Sequence, residues 1–150
     1  MLFAIMELGL IFVTDSILDN ATAESSRLVR TGQAAGSITT SAEFKAELCD
    51  RMSIFSGDCL DRADVDVRSL TQFRNAEPPD PMESGTTFDS AALTYVTGQP
   101  GDLMLVRVWY RYPVVTPFLD QAMSRLKDGN AMLTATTAFR NEPFAPTATP

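Results

Sequence analysis

Two cysteines are the residues of this chain with the most distinctive chemistry. Cys49 and Cys59 lie close together in the sequence, and the chain has 2 cysteines in all. This spacing, in a chain with an apolar N-terminus, is typical of an exported domain with one disulfide bond. Closing a loop of this size stabilises a fold by roughly 2.5–3 kcal/mol in the chain-entropy treatment. Two free, buried thiols in a cytosolic protein are the alternative interpretation.

Acid–base and metal chemistry have little support in the sequence. The chain contains 0 histidines, which excludes Ser-His-Asp and Cys-His catalysis. Histidine is also the commonest zinc ligand, and two cysteines alone do not complete a zinc site. Carboxylate catalysis remains possible, but no pair of acids is marked by its spacing, and no phosphate-binding glycine motif occurs. We therefore expect a non-enzymatic protein without a cofactor or a small-molecule substrate, and a carboxylate enzyme is the least favoured hypothesis.

A run of aspartates, Asp58, Asp61, Asp64 and Asp66, could suggest a calcium site. Calcium loops need closely spaced oxygen ligands around a turn-forming glycine. Asp64 and Asp66 fall instead in a predicted strand, because Val65 and Val67 alternate with them. We therefore predict a solvated acidic face and no metal site.

The overall charge limits the partners of the chain. It has 12 Lys and Arg against 19 Asp and Glu, a net charge of −7 over 150 residues. Nucleic-acid binding depends on basic residues that neutralise phosphates, so we expect no nucleic-acid partner. The same acidic balance argues against docking on anionic lipid through a basic patch. The length favours one domain with a sizeable core.

The N-terminal segment is predicted to form one long helix that changes character along its length. Residues 1–13 are almost wholly apolar, and the rest of the helix, to about Arg30, is amphipathic, with Gly32 placed to end it. We predict a partial membrane anchor that also packs on partner helices. Its residues are Leu2, Phe3, Ile5, Glu7, Leu8, Leu10, Ile11 and Phe12.

The anchor is shorter than a membrane span. Residues 1–13 make a helix of about 20 Å, whereas a bilayer core is about 30 Å thick and needs roughly 20 residues. We therefore expect about 15 further residues upstream. Glu7 is either an ion partner inside the membrane or a glutamate that reaches water near its surface. Ser25 and Ser26 have no base beside them and are interpreted as small residues that allow close packing.

A cleaved signal peptide is the alternative to an anchor. Ala21-Thr22-Ala23 resembles a cleavage site, and the mature protein would then begin near Glu24 as a small exported binding domain. However, no positive segment precedes the apolar run, and Asp15 and Asp19 separate it from the site.

The remainder of the chain predicts a small α+β head. Thr40 to Glu43 reads as a capping box that opens a helix with Phe44 and Leu48, and Ser56 to Asp58 reads as a turn. Residues 63–70 are a predicted strand, and residues 77–101 are mostly loop, with a possible short strand at 93–97. Trp109, in the next strand, is interpreted as a core residue.

Residues 103–112 form the best strand of the chain and are apolar on both faces, which predicts a central position. A helix from Pro117 is expected to place Phe118, Ala122 and Leu126 inward and to end near Gly129, before a last strand at 131–139. The predicted fold is a long N-terminal helix packed on a small antiparallel sheet with two short helices. Its divisions are the helix at 1–31, the head at 32–141 and a mobile tail at 142–150.

Short motifs along nearly the whole chain carry a family resemblance. They are Glu7-Leu8-Gly9, the helix end from Arg27 to Gln33, Phe44 with Cys49 and Cys59, Val65 to Arg68, Val106 to Tyr110, and Thr137 to Phe144. In this order and spacing, the chain resembles the TadE-like family, the pilin-like proteins of the bacterial Tad (tight adherence, Flp) pilus apparatus.

The resemblance implies a single-pass inner-membrane protein with a periplasmic, pilin-like head. It implies a non-enzymatic role as a minor subunit that supports assembly of adhesive pili. The implied partners are the membrane, other pilin-like Tad subunits and the inner-membrane assembly platform. No prepilin cleavage motif precedes the apolar run. Glu7 lies where members of the family carry a glutamate deeper in the helix, so the glutamate that follows the cut in prepilin-like members cannot be assigned to it.

Overall fold

The computed structural model describes residues 1–74, 76–82, 85–123 and 126–143. The architecture is the predicted α+β class: a long N-terminal helix, a three-stranded antiparallel sheet and short helices. The helices are α1 (Leu2–Arg30), α2 (Ser41–Arg51), α3 (Ser56–Arg62) and α4 (Pro117–Met123), and the strands are β1 (Ala63–Leu70), β2 (Leu103–Pro113) and β3 (Asn130–Arg140). Short 3-10 turns lie at Gln33–Gly36, Ser53–Phe55 and Ser90–Ala92.

The long helix α1 is uninterrupted over 29 residues, as predicted. It has no internal proline, and Arg27 and Arg30 in its last turn interact favourably with the helix dipole. Gly32 follows with φ +74°, the left-handed conformation expected where a helix stops. One face of α1 is buried along its length, at Glu7, Ile11, Thr14, Leu18, Ala21, Thr22, Ser25, Ser26 and Val29.

The sheet has the order β1-β2-β3, so β2 is central, as predicted. On one face, which we call the helix-covered face, Val65 lies opposite Val108 and Val67 lies opposite Val106. These valines form one buried cluster with side chains of α1 and α2, and this cluster is the hydrophobic core. The other face, which we call the outer face, carries the charged residues and Trp109.

The helix α1 extends from one end of the sheet to the other. Its start contacts the segment that follows Pro113, which pairs with Asn130. Its last residue, Arg30, accepts a hydrogen bond from the Glu142 N–H (2.9 Å) just beyond Arg140, which pairs with Leu103. We call these the Pro113 end and the Leu103 end of the head.

Helix α2 begins at the predicted capping box. The Glu43 N–H donates to Thr40 Oγ1 (3.2 Å), and Glu43 Oε2 accepts from the Thr40 N–H (2.9 Å). The predicted inward residues Phe44 and Leu48 are both fully buried. Two reciprocal hydrogen bonds therefore fix the start of the helix that brings Cys49 to the core.

Several local predictions were wrong. The expected turn at Ser56 to Asp58 is the first turn of α3, in which Asp58 pairs with Arg62 one turn later (3.2 Å). The expected strand at 93–97 is reduced to one bridge, between Val67 and Tyr95, and the described chain has three short α-helices where two were predicted.

The predicted helix after Thr116 is also shorter than expected. It ends at Met123, and Ala122 is exposed although Leu126 is buried. Gly129, which was expected to end this helix, instead adopts a left-handed φ of +77° in the turn that leads into β3. The predicted inward side chain of Phe118 and most of the predicted tail, residues 144–150, lie outside the described part of the chain.

The predicted disulfide between Cys49 and Cys59 is present and buried. The two Cα atoms are 5.5 Å apart, and the bond joins α2 to α3 across the 3-10 turn at Ser53–Phe55. It therefore closes a small loop at one edge of the core.

Reduction of this disulfide is expected to lower the melting temperature. In the chain-entropy treatment the bond contributes roughly 2.5–3 kcal/mol, which corresponds to roughly 5–12 °C for a domain of this size. Thermal melts with and without reductant, followed by circular dichroism, measure the shift. Cys59→Ser serves as the control, because reductant should not lower its melting temperature further. Equal melting of the wild-type protein in both conditions would contradict a stabilising disulfide.

Candidate membrane and partner surface

The first twelve residues of α1, residues 2–13, present a set of exposed apolar side chains. We call this set the apolar stripe; its members are Leu2, Phe3, Ile5, Met6, Leu10, Phe12 and Val13. Phe3 is 78% exposed and Phe12 is 69% exposed. A contiguous apolar surface of this kind marks a site of contact with a membrane or a protein partner.

The residues predicted for the anchor divide between two faces of α1. Leu2, Phe3, Ile5, Leu10 and Phe12 belong to the apolar stripe, and Leu8 is half-buried. Glu7 and Ile11, one helical turn apart, are buried against the head. The sequence pattern did not separate these two faces, because almost every residue of this segment is apolar.

Glu7 binds the head rather than solvent. Its carboxylate accepts hydrogen bonds from the backbone N–H groups of Val115 (2.5 Å) and Thr116 (2.9 Å), and the residue is only 7% exposed. These N–H groups immediately precede Pro117, the first residue of α4. The expectation of a glutamate that reaches water was therefore wrong, since Glu7 fixes the apolar end of α1 to the β2–α4 connection.

The buried face of α1 contains hydroxyl side chains as well as apolar ones. Thr14 Oγ1 donates to the Leu10 carbonyl (2.7 Å), whereas the hydroxyls of Thr22, Ser25 and Ser26 have no hydrogen-bond partner within the described residues. All three are buried. Their small size allows the close approach to the head that the sequence predicted for Ser25 and Ser26.

The outer face of the sheet holds a buried ion cluster. Asp66 is 0% exposed, and its carboxylate accepts hydrogen bonds from Arg68 (2.8 and 2.6 Å) and Arg107 (3.0 and 2.7 Å). The backbone N–H of Thr94 donates to the same carboxylate (2.9 Å). The prediction of a solvated acidic face was therefore wrong at Asp66, because the segment that contains Thr94 covers it.

The same cluster holds the covering segment in place. The Arg68 guanidinium donates to the Ala92 carbonyl (3.0 Å), and that of Arg107 donates to the Pro79 carbonyl (3.0 Å). The Arg107 guanidinium also lies over the Trp109 ring, 4.9 Å from its centroid. Trp109 is buried, as expected, but it lies on the outer face and outside the hydrophobic core cluster.

The pKa of Asp66 reflects two opposing effects. Burial by itself raises the pKa of this carboxyl, but hydrogen bonds from Arg68, from the Thr94 N–H and from Arg107 outweigh burial. The net pKa lies below the ordinary value for aspartate, so the group is a carboxylate at neutral pH.

The residues that the structure describes contain neither a metal site nor a helix able to span a membrane. No group of three or more acidic, cysteine or histidine side chains there is placed to hold a metal ion. Within the same residues, no helix combines the length and the apolar character needed to cross a membrane.

Comparison of the chain with known protein families, with curated proteins and with solved structures finds no match in any of the three.

Proposed function

We propose that this chain is a membrane-anchored, pilin-like subunit of the TadE-like type, with its head in the periplasm, which supports assembly of Tad adhesive pili. The observation that carries the proposal is the apolar stripe on α1. Its side chains are exposed, while Glu7 and Ile11 in the same segment of the helix are buried in contact with the head. A helix with this division can contact lipid or a neighbouring helix without unfolding the domain.

The location of the apolar stripe supports packing against other helices in a membrane. In lipid, helices associate through close packing rather than through the hydrophobic effect. Gly9 lies among the side chains of the apolar stripe and has no side chain of its own. The space beside it is open, since an added Cβ would meet nothing within 4 Å, so another helix can pack closely there. We infer that the partners are other pilin-like subunits and the inner-membrane assembly platform.

The exported binding domain is less well supported. Its mature form would begin near Glu24 and would lack Leu18 and Ala21, which are buried in the core. An anchored form keeps both residues. The disulfide between Cys49 and Cys59 agrees with the oxidising periplasm in either case.

Deletion of the gene in the source bacterium, followed by complementation, tests the proposal. The triple variant Phe3→Ser, Leu10→Ser and Phe12→Ser removes much of the apolar stripe without touching a buried residue. We expect the wild-type gene to restore surface pili, and the triple variant to be folded, released from the membrane fraction and inactive.

Phe73→Ser is the matched control, because Phe73 is 47% exposed and follows β1 at the Leu103 end of the head. It should restore pili. Electron microscopy counts the pili, and membrane fractionation locates each variant. Unchanged piliation in the deletion strain, or full activity of the triple variant, would contradict the proposed function.

A further inference from the structure

We propose that the Pro113 end of the head itself docks on the lipid surface, with Val115 and Ile54 entering the interfacial layer of the bilayer. This inference rests on the proposed function, because it assumes that the apolar stripe of α1 is immersed in lipid. It adds a second, separate contact between the protein and the membrane, made by the head rather than by α1.

The hydrogen bonds of Glu7 set the depth of the head. Val13, the last residue of the apolar stripe, is six residues after Glu7 in a continuous helix, so immersion of the stripe carries Glu7 about 9 Å below the membrane surface. The polar layer on each side of the hydrocarbon core is about 5–7 Å thick. Because Glu7 accepts hydrogen bonds from the Val115 and Thr116 N–H groups, the loop that contains Val115 lies at the same level as Glu7. If the apolar stripe is immersed, this loop lies at the lipid interface.

The side chains at this end have the character of an interfacial surface. Val115 is 82% exposed and Ile54 is 79% exposed. Both line a shallow cavity of about 360 Å³ together with Tyr112 and Pro113. Tyrosine is enriched where a membrane meets water, since its ring is apolar and its hydroxyl is polar.

The charges near this cavity do not oppose contact with lipid. Arg62 and Asp58 also line it, and they form an ion pair with each other (3.2 Å).

The apolar surface of α1 therefore continues onto the head at Val115. Val115 and Ile54 project from the surface as single side chains, which suits insertion among lipid head groups better than docking of a protein segment. A lipid surface is accordingly the occupant to which this proposal commits.

Fluorescence from a label at single positions of the full chain tests the proposal. The native cysteines form a disulfide, so a third cysteine can be labelled selectively without reductant. We would introduce Val115→Cys, Ile54→Cys, Phe3→Cys and Phe73→Cys separately, each at an exposed position. Each protein, labelled with an environment-sensitive dye, is reconstituted in neutral phosphatidylcholine vesicles that carry shallow or deep nitroxide quenchers.

We expect the label at Phe3 to be quenched most by the deep nitroxide, and the labels at Val115 and Ile54 most by the shallow one. The label at Phe73 should stay in water and be quenched by neither. A quenched label at Phe3 with unquenched labels at Val115 and Ile54 would overturn the docking of the head and leave the proposed function standing. An unquenched label at Phe3 would contradict the proposed function itself. Quenching at all four positions would overturn the proposed orientation.

Discussion

Replacement of Asp66 by asparagine is expected to lower the free energy of unfolding by about 3–5 kcal/mol, because breaking a buried ion pair leaves buried charge uncompensated. Asp66 is the anion shared by Arg68 and Arg107, whose side chains are only 15% and 10% exposed. Asparagine has nearly the same shape but no charge, so both guanidinium groups would lose their anion while still buried. Urea denaturation of Asp66→Asn measures the loss.

Asp64→Asn is the matched control for this prediction. Asp64 lies two residues away on the same strand and pairs with Arg111 (2.7 Å), but both side chains are partly exposed. The same substitution there should cost about 0–1 kcal/mol, the usual contribution of an exposed ion pair. Equal losses in the two variants would show that burial of the pair does not determine its contribution.

The pH dependence of stability gives this prediction a second readout. The folded pKa of Asp66 lies below its unfolded value, which is about 3.9 for aspartate. The stabilisation from this group is therefore complete above that value, and it is lost as the pH falls through the lower folded pKa. Wild-type stability should decrease more steeply than that of Asp66→Asn as the pH is lowered below about 4.

A chain that begins at Glu24 is expected not to fold. It would lack the buried residues Ile11, Leu18 and Ala21, which belong to the single core cluster. Loss of one large core side chain costs about 2–5 kcal/mol, and the whole stability of a domain is about 5–15 kcal/mol. Circular dichroism and thermal melting of the purified protein test this expectation. A cooperative melt close to that of the full chain would contradict it.

A chain that begins at Met6 is the control for this truncation. It loses the exposed residues Leu2, Phe3 and Ile5 but keeps Glu7 and its hydrogen bonds to the β2–α4 connection. We expect its stability to change by less than about 1 kcal/mol, the range usual for changes away from the core. Its tendency to aggregate should fall, since part of the apolar stripe is removed.

The features that were predicted correctly from the sequence are those decided by neighbouring residues. Gly32 ends α1 and Thr40 with Glu43 begins α2 because helix caps depend on three or four consecutive positions. The central place of β2 was also predictable, since its alternate residues are apolar on both faces.

The ion cluster at Asp66 was missed because its partners are distant in the sequence. Alternation placed Asp66 correctly on the outer face, but the interpretation assumed that this face is in water. A signal was present: Leu105 and Trp109 share that face with Arg107, so it had to be covered. The segment that covers this face is held by a contact between Asp66 and Thr94. These residues are distant in the sequence, so the pattern of neighbouring residues does not reveal the contact.

The attachment of α1 at both ends has a mechanical consequence. Its 29 residues form a rod about 43 Å long, which is bonded to the head through Glu7 at one end and Arg30 at the other. A force that pulls on the start of α1 along its axis would load these contacts in shear, because the helix must slide along the whole sheet to come free. Resistance to such a force is governed by the unfolding rate rather than by the free energy of unfolding. A subunit built this way can therefore bear tension for a time set by the lifetime of its folded state.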